Sequence, residues 1–253
     1  MEPTFGSLTF MFPMWNEEEM IHRTVDAARE TASDLVASGE IGDYEILIVD
    51  DASSDKTGAI ADELAAADDH VRVVHHKVNR KLGGSVRTGL AEARGDLVLY
   101  TDADMPFDLA DLGKALRLMR VYEADILSAY RLDRTGEGVK RTLYSYVYNS
   151  MVRMLLGMRI RDVNFAFKLL RRDILRHIEL ESEGSFIDVE LLAKAQRRGF
   201  HIIQFGVDYF PRDRGTSTLS SPAVISTILK ELVRLVPSLR RVERLPERAL
   251  RHR

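Results

Sequence analysis

No cysteine occurs in the 253 residues of the chain, which excludes disulfides and thiolate metal sites. No apolar run approaches the roughly 20 residues that a membrane-spanning helix needs. The apolar stretch from Leu8 to Trp15 is too short for a secretory leader and lacks a cleavage pattern, so a cytoplasmic protein is expected. Charge of one sign is not in excess: 36 Lys and Arg face 39 Asp and Glu, a formal net charge of −3. No nucleic-acid partner is implied. Neither a Gly-x-Gly-x-x-Gly segment nor a P-loop lysine motif is present, which weighs against dehydrogenases and NTPases. Internal repeats and low-complexity linkers are missing too. What remains, 45% hydrophobic and 30% charged residues, is the composition of an ordinary globular protein of one large α/β domain or two small ones.

The pattern along the chain alternates strand and helix. Leu8, Phe10 and Phe12 alternate with Thr9 and Met11 as a strand, and Pro13 stops it. Asn16 ahead of Glu17, Glu18 and Glu19 reads as a helix N-cap, with the helix running to Ser38 and Gly39. Strands follow at 45–49, 71–74, 97–100 and 125–129, with helices at 56–67, 84–93 and 109–120 between them. Such β-α repetition predicts a mostly parallel sheet covered by helices on both faces. Later, 139–160 reads as a helix rich in Tyr and Met, 162–172 as a strand, and 187–197 as a helix ended by Gly199. A strand over 203–209 follows, and a last helix opens at Pro222 and reaches Val236.

The stretch Asp96 to Asp108 organises the rest. Leu97 to Tyr100 is a short apolar run of buried-strand type, and two carboxylates, Asp102 and Asp104, stand two residues apart where it ends. Extended i, i+2 spacing places them on one side, and two such anions call for a cation between them. Mg²⁺ or Mn²⁺, held by one or two carboxylates and by phosphate oxygens, meets that need. A solvated turn in which Asp104 caps the next helix would use the same residues. The neighbouring strands add weight to the first reading. Trp15-Asn16-Glu17, Asp50-Asp51, Asn79 and Tyr130-Arg131 all follow the C-terminal ends of expected strands, the edge at which open α/β sheets bind ligands.

These segments together resemble glycosyltransferase family 2, and within it the dolichyl-phosphate mannose synthases and other polyprenyl-phosphate glycosyltransferases. The resemblance spans residues 7–220. Phe12-Pro-Met-Trp-Asn-Glu17, Val49-Asp-Asp-Ala-Ser-Ser-Asp-Lys-Thr57 and Asn79-Arg-Lys-Leu-Gly-Gly-Ser-Val-Arg-Thr-Gly89 carry it first. Asp102-Ala-Asp104, Ser128-Ala-Tyr-Arg131, Asp162-Val-Asn-Phe-Ala-Phe-Lys168 and Arg212-Asp-Arg-Gly-Thr-Ser217 complete it in the family's order. It implies a GT-A fold over 1–220, with 221–253 as an added amphipathic helix and basic tail. It also implies nucleotide-sugar contacts at Pro13, Trp15, Asn16, Glu17, Asp50, Asp51, Asn79, Lys81, Gly84, Ala103 and Ser217. Asp51 suits a base N–H, while helix capping would explain Asp50 and Asp55 as well. Arg131 and Arg212 have the planar fork that suits the diphosphate or an acceptor phosphate; for Arg131 a surface salt bridge is the plain alternative. Asp162 and Asn164 face the sugar or merely end a helix. Asp188 and Glu190 diverge from one another at a helix start, so one of them is expected to reach the site.

Two departures from the mannose synthase pattern stand out. Pro106 replaces a metal-ligating Gln, leaving that place to Asp108 or water, and Thr218 replaces a Lys after the Gly-x-Ser segment. The expectation is an inverting, metal-dependent transferase carrying a sugar from GDP-mannose or a UDP-hexose to a polyprenyl phosphate. The acceptor phosphate has a second pKa of about 6, so it is ionised without a strong general base. Alternatives are the same fold acting on a soluble or lipid-diphosphate acceptor, or a nucleotide-sugar-binding protein without catalysis. A processive polysaccharide synthase is disfavoured, since the Gln-x-x-Arg-Trp motif and membrane spans of those enzymes are missing.

A polyprenyl acceptor keeps its tail in the bilayer, so peripheral placement at the inner membrane face is expected, on anionic lipid or on a membrane partner protein. Two segments have the composition of interfacial helices. Residues 139–160 offer Leu143, Tyr144, Val147, Tyr148, Met151, Met154 and Leu155 with Lys140, Arg141 and Arg153. The tail offers Val224, Ile225, Ile228, Leu229, Leu232 and Leu235 ahead of Arg240, Arg241, Arg244, Arg248, Arg251 and Arg253. Core packing is the alternative for the first and a subunit contact for the second.

Overall fold

A computed structural model describes residues 3–133, 139–209, 222–246 and 250. Six strands lie close to where alternation and apolar runs predict them: β1 (Phe5–Met14), β2 (Ile41–Asp50), β3 (Val71–His75), β4 (Leu97–Thr101), β5 (Ile126–Arg131) and β7 (Ile202–Val207). A further strand, β6 (Phe167–Arg171), joins them in one seven-stranded sheet of order β3-β2-β1-β4-β6-β5-β7. All pairs are parallel except those of β6, which runs antiparallel between β4 and β5. In parallel pairs every crossover needs a helix, and α1 (Ile21–Ala37), α2 (Thr57–Ala67), α3 (Lys81–Glu92) and α4 (Asp111–Val121) supply them in turn.

The sheet is buried on both faces, which is why its strands read as near-continuous apolar runs. Phe10 and Phe12 of β1 and Leu97 and Leu99 of β4 face α1, α2 and α4. Met11, Val98 and Tyr100, one residue out of phase, face α3, α5 (Val139–Leu156), α6 (Ile187–Arg198) and α7 (Pro222–Arg240). Helix α7 is joined to this second core: Leu232, Leu235, Val236 and Leu239 are buried in it. Two of the residues named above for membrane contact are therefore core. Val224, Ile225, Ile228 and Leu229 have side chains outside the described residues, as do Leu143, Tyr144 and Val147 of α5. On α5, Tyr148, Met151 and Leu155 are partly buried, whereas Met154 is 79% exposed and Tyr146 66%. Among the described residues no helix is long and apolar enough to cross a membrane.

Several boundaries differ from the sequence reading. Helix α1 begins at Ile21 with Met20 before it, not at Asn16, because Asn16 has φ 56° and turns the chain away from helix. Asp55 does not cap α2. Its Oδ1 accepts from the backbone N of Thr57 at 2.9 Å and from Thr57 Oγ1 at 2.6 Å, an Asx turn one residue ahead of the helix. The expected strand over 162–172 shortens to Phe167–Arg171, since 162–166 is a loop tied down by side chains. The expected helix over 139–160 ends at Leu156, followed by Gly157 at φ 68°.

Candidate active site

The C-terminal ends of the parallel strands gather the polar residues that the sequence marked. Trp15, Asn16 and Glu17 follow β1, Asp50 closes β2 with Asp51 next, Asp102 to Asp104 follow β4, and Arg131 closes β5. The backbone is strained here. Of the five described non-glycine residues with positive φ, four (Asn16, Ala52, Lys81 and Met105) stand on loops leaving this edge, and only Glu123 lies elsewhere. Strain of that kind costs of order 1–3 kcal/mol per residue and persists where surrounding contacts over-determine it.

The Asp102–Asp104 turn shows such contacts. Thr24 Oγ1 of α1 donates to the Ala103 carbonyl at 2.6 Å, the backbone N of Met105 donates to Asp102 O at 3.2 Å, and Thr101 Oγ1 donates to Ala166 O at 2.7 Å. Ala103 is buried, so the two carboxylates flanking it are presented from a pinned turn, both half-buried. The donor set is hard oxygen. Among the described residues no group of three or more His, Asp or Glu side chains comes together as a metal cage. Two carboxylates with the remaining positions left to phosphate oxygens and water is the arrangement that suits Mg²⁺ or Mn²⁺ in nucleotide sites. Pro106 is buried and offers no ligand. Asp108 is engaged elsewhere: its Oδ1 accepts from the Ala110 backbone N at 2.9 Å at the start of α4.

On the β1–β2–β3 side the loops are sewn together. Asn16 Oδ1 accepts from the Ser54 backbone N at 2.8 Å, Ser53 Oγ accepts from the Asn16 backbone N at 3.0 Å, and the Glu17 backbone N donates to Thr57 Oγ1 at 2.8 Å. The Asn16 side chain is thus spent on loop geometry, while Trp15 beside it is 57% exposed. Pro13 lies within β1, paired with Val49. Asp50 accepts from the Ser53 backbone N at 3.1 Å and pairs with His75 Nδ1 at 2.9 Å; Asp51 pairs with His76 Nδ1 at 2.6 Å. These two histidines were not singled out by sequence. Their only signal is position, directly at the end of β3 beside the carboxylates that end β2. His75 also meets Asp62 Oδ1 at 3.0 Å, and the hydrogen bonds to Asp62 and then Asp50 raise its pKa above the ordinary histidine value. Asn79 Nδ2 donates to the Asp51 carbonyl at 3.2 Å, and Asn79 Oδ1 accepts from the Lys81 backbone N at 3.1 Å, which holds Lys81 at φ 60°. At Gly84 an added Cβ would lie 2.4 Å from Arg80 Cβ, so glycine serves the tight start of α3.

Across the Asp102–Asp104 turn lies a second group. Arg131 donates through Nε and Nη2 to Asp162 Oδ2 and Oδ1 at 2.7 and 2.9 Å, with its guanidinium over the rings of Phe165 and Tyr209. Asp162 is buried, so this is more than the surface salt bridge considered as an alternative. The loop behind Asp162 is held by Asn149 Oδ1, which accepts from the Val163 N at 3.2 Å, and by Lys168 Nζ, which donates to Phe165 O at 2.5 Å. Lys168, wholly buried, also faces Asp188 Oδ1 at 3.5 Å. Burial raises the Asp188 pKa against the lowering pull of Lys168. Tyr100, on β4 just before the metal-type carboxylates, is pushed well up by burial and then by Asp188 and Asp102. Asp188 thus belongs to the cluster behind the site.

Glu190 points away from that cluster, as two-residue spacing on a helix requires. Its carboxylate accepts from the backbone N of Glu181 at 2.9 and 3.0 Å and of Ser182 at 2.7 Å, and pairs with Lys194 at 2.7 Å. It closes a loop and has no contact with the Asp102–Asp104 turn to offer as a base. Arg212 and Ser217, with Thr218, lie outside the described residues.

The Glycosyl transferase family 2 profile matches residues 9–179. Haloferax volcanii glycosyltransferase AglD is 31% identical over 210 residues; the match covers 81% of this chain but only 33% of the archaeal protein. Undecaprenyl-phosphate mannosyltransferase of Micrococcus luteus is 29% identical over 85% of this chain and 88% of its own. Human dolichyl-phosphate beta-glucosyltransferase is 30% identical over 80% and 67%. Among solved structures, Mycobacterium tuberculosis glucosyl-3-phosphoglycerate synthase with Mn²⁺, UDP and glucosyl-3-phosphoglycerate superposes with a TM-score of 0.69 at 18% identity, covering 92% of this chain and 80% of that one. The Pyrobaculum calidifontis mannosyltransferase PcManGT with GDP-Man and Mn²⁺ gives 0.59 at 20% identity over 85% and 59%. Strand order, strand-end carboxylates and family match agree: the chain belongs to glycosyl transferase family 2 and is a glycosyltransferase of GT-A fold.

Proposed function

We propose that this enzyme transfers a sugar, with inversion, from a nucleotide diphosphate donor to a polyprenyl phosphate at a membrane surface. The observation that carries the reading is the pinned Asp102–Asp104 turn facing the Arg131–Asp162 pair across one sheet edge. A divalent metal held by Asp102 and Asp104 would neutralise charge on the departing diphosphate. The chain's own residues do the rest. The β1, β2 and α3 loops seat the nucleotide at Trp15, Glu17, Asp51, Asn79 and Lys81. Arg131, oriented by Asp162, directs the acceptor phosphate to the side of the sugar opposite the diphosphate, with Arg212 as a second cation. A phosphate monoester with a second pKa of about 6 attacks as the dianion near neutral pH. That is consistent with Glu190 being consumed by backbone hydrogen bonds and Asp188 by Lys168.

Polyprenyl phosphate as acceptor is supported by the Micrococcus and human relatives, whose names specify undecaprenyl and dolichyl phosphate. Mn²⁺ in the two solved neighbours supports metal use. Surface docking rests on Tyr146 and Met154, exposed on α5, and on the basic tail, with each basic residue near an anionic surface contributing about 1 kcal/mol. The reading places the protein in the cytoplasm at the inner membrane face. The test incubates full-length protein with GDP-mannose, UDP-glucose or UDP-N-acetylglucosamine, Mg²⁺ or Mn²⁺, and undecaprenyl or dolichyl phosphate in anionic liposomes. A lipid-linked sugar of inverted anomeric configuration is expected, together with flotation of the protein in low salt. Transfer to soluble acceptors alone, without flotation, would replace the lipid acceptor.

A further inference from the structure

Asp51 is the carboxylate at the centre of the nucleotide side of the sheet. In the order β3-β2-β1, it follows β2, with Trp15 beyond β1 on one side and Val78 beyond β3 on the other. Both neighbours are exposed apolar groups, Trp15 at 57% and Val78 at 68%, whereas the Asp51 side chain is 4% exposed. A flat, apolar-faced ligand with a polar edge matches such a rim.

The carboxylate is loaded on one oxygen only. Oδ1 accepts from His76 Nδ1 at 2.6 Å and from the Arg80 backbone N at 2.7 Å. Among the described residues none donates to Oδ2. The tautomer of His76 follows from its other neighbour. Thr88 Oγ1 accepts from Arg80 Nη1 at 3.1 Å and lies 2.9 Å from His76 Nε2. With its lone pair engaged by arginine, the Thr88 hydroxyl gives its hydrogen to Nε2, so Nδ1 carries the proton and donates to Asp51. Both lone pairs of Oδ1 are thereby filled. Asp51 N donates to Met14 O at 2.9 Å, which holds the residue to β1.

From this geometry, and resting on the proposed nucleotide-sugar reading, we infer that the donor carries uracil. The base edge meets a single acceptor, Oδ2. Uracil presents one ring N–H, at N3, between two carbonyl oxygens. Guanine presents N1–H and the N2 amino group side by side and needs both oxygens of a carboxylate, one of which is taken. Cytosine and adenine turn an acceptor ring nitrogen toward the carboxylate and are repelled. His76 is then a positioning residue: it sets specificity by occupying Oδ1 without touching the base. A buried donor left without its acceptor weakens binding roughly 10- to 100-fold.

The test is titration calorimetry of full-length protein with Mn²⁺ and UDP, GDP, CDP or ADP. UDP is expected to bind at least about tenfold more tightly than each of the others. Asp51→Asn keeps an oxygen for His76 and Arg80 and turns an amide N–H toward the base, so CDP should overtake UDP. If that variant does not fold, His76→Phe serves instead: freeing Oδ1 should narrow the UDP-to-GDP ratio. GDP binding as tightly as UDP to the wild type would overturn the uracil assignment and leave sugar transfer standing. No binding by any of the four would defeat the nucleotide-sugar reading itself.

Discussion

Arg131 grips Asp162 with two parallel hydrogen bonds, Nε to Oδ2 at 2.7 Å and Nη2 to Oδ1 at 2.9 Å, both side chains nearly sealed from solvent. The pair joins the end of β5 to the loop that leads into β6, so it aligns the acceptor side of the site with the sheet. A lysine would keep the charge but could not bridge both oxygens. Arg131→Lys is expected to lower kcat by roughly 10- to 100-fold, the loss of one charge-assisted hydrogen bond, with the circular dichroism spectrum unchanged. Unaltered steady-state kinetics would reduce the pair to a structural brace.

The strand-end carboxylates make a separate prediction. Asp104→Ala should abolish transfer and weaken nucleotide-sugar binding in the presence of Mn²⁺, and EDTA should do the same to the wild type, reversibly on adding metal back. Full turnover in EDTA would remove the metal from Asp102 and Asp104.

Lys168 has no exposed surface, and its ammonium is shared between Phe165 O and Asp188. Lys168→Met leaves a buried carboxylate without its cation, a change that costs about 3–5 kcal/mol. The pH dependence carries the sign. Burial already raises the Asp188 pKa and Lys168 opposes that rise, so removing the lysine raises it further. A carboxyl whose folded pKa is raised loses stability as pH climbs through that value. Urea denaturation of Lys168→Met should show a larger deficit at pH 8 than at pH 5, and adding Asp188→Asn should erase the difference.

His75 bridges Asp62 and Asp50, and these bonds raise its pKa. Its contribution to stability is therefore complete below the unfolded value of about 6.5 and fades as pH rises through the folded one. The gap in Tm between wild type and His75→Gln should be widest near pH 6 and narrow by pH 8.5. A gap independent of pH would mean that the ring acts by packing alone. NMR titration of the His75 ring gives the direct check.

Much of this architecture was legible in the chain itself. Parallel strands buried on both faces must be apolar throughout, so β1, β2 and β4 announce themselves, and crossovers between them must be helical. Asp102 and Asp104 were readable for the same reason: two anions at the end of a buried strand have few purposes. Local signals misled where contacts distant in sequence prevailed. Asn16 has the residue type of a helix cap, yet Ser53 and Ser54 draw it into a loop at positive φ, and the helix waits until Ile21. Leu232 and Leu235 have the spacing of a membrane-facing stripe, yet they pack into the core beside α5 and α6.

Periodicity and residue type along the chain determined the β-α repeat, the sheet edge that holds the polar residues, and the two carboxylates that suit a metal. Only the tertiary structure decided which polar side chains are available there. Asp188 and Glu190 are equivalent in sequence, but a 100° turn per helical residue sends one toward Lys168 and the other onto the backbone of Glu181 and Ser182. His76 carries no local signature at all. Its effect on Asp51 exists because β2 and β3 are neighbours in register, and such pairing across 25 residues is set by packing of the whole sheet rather than by any short stretch of chain.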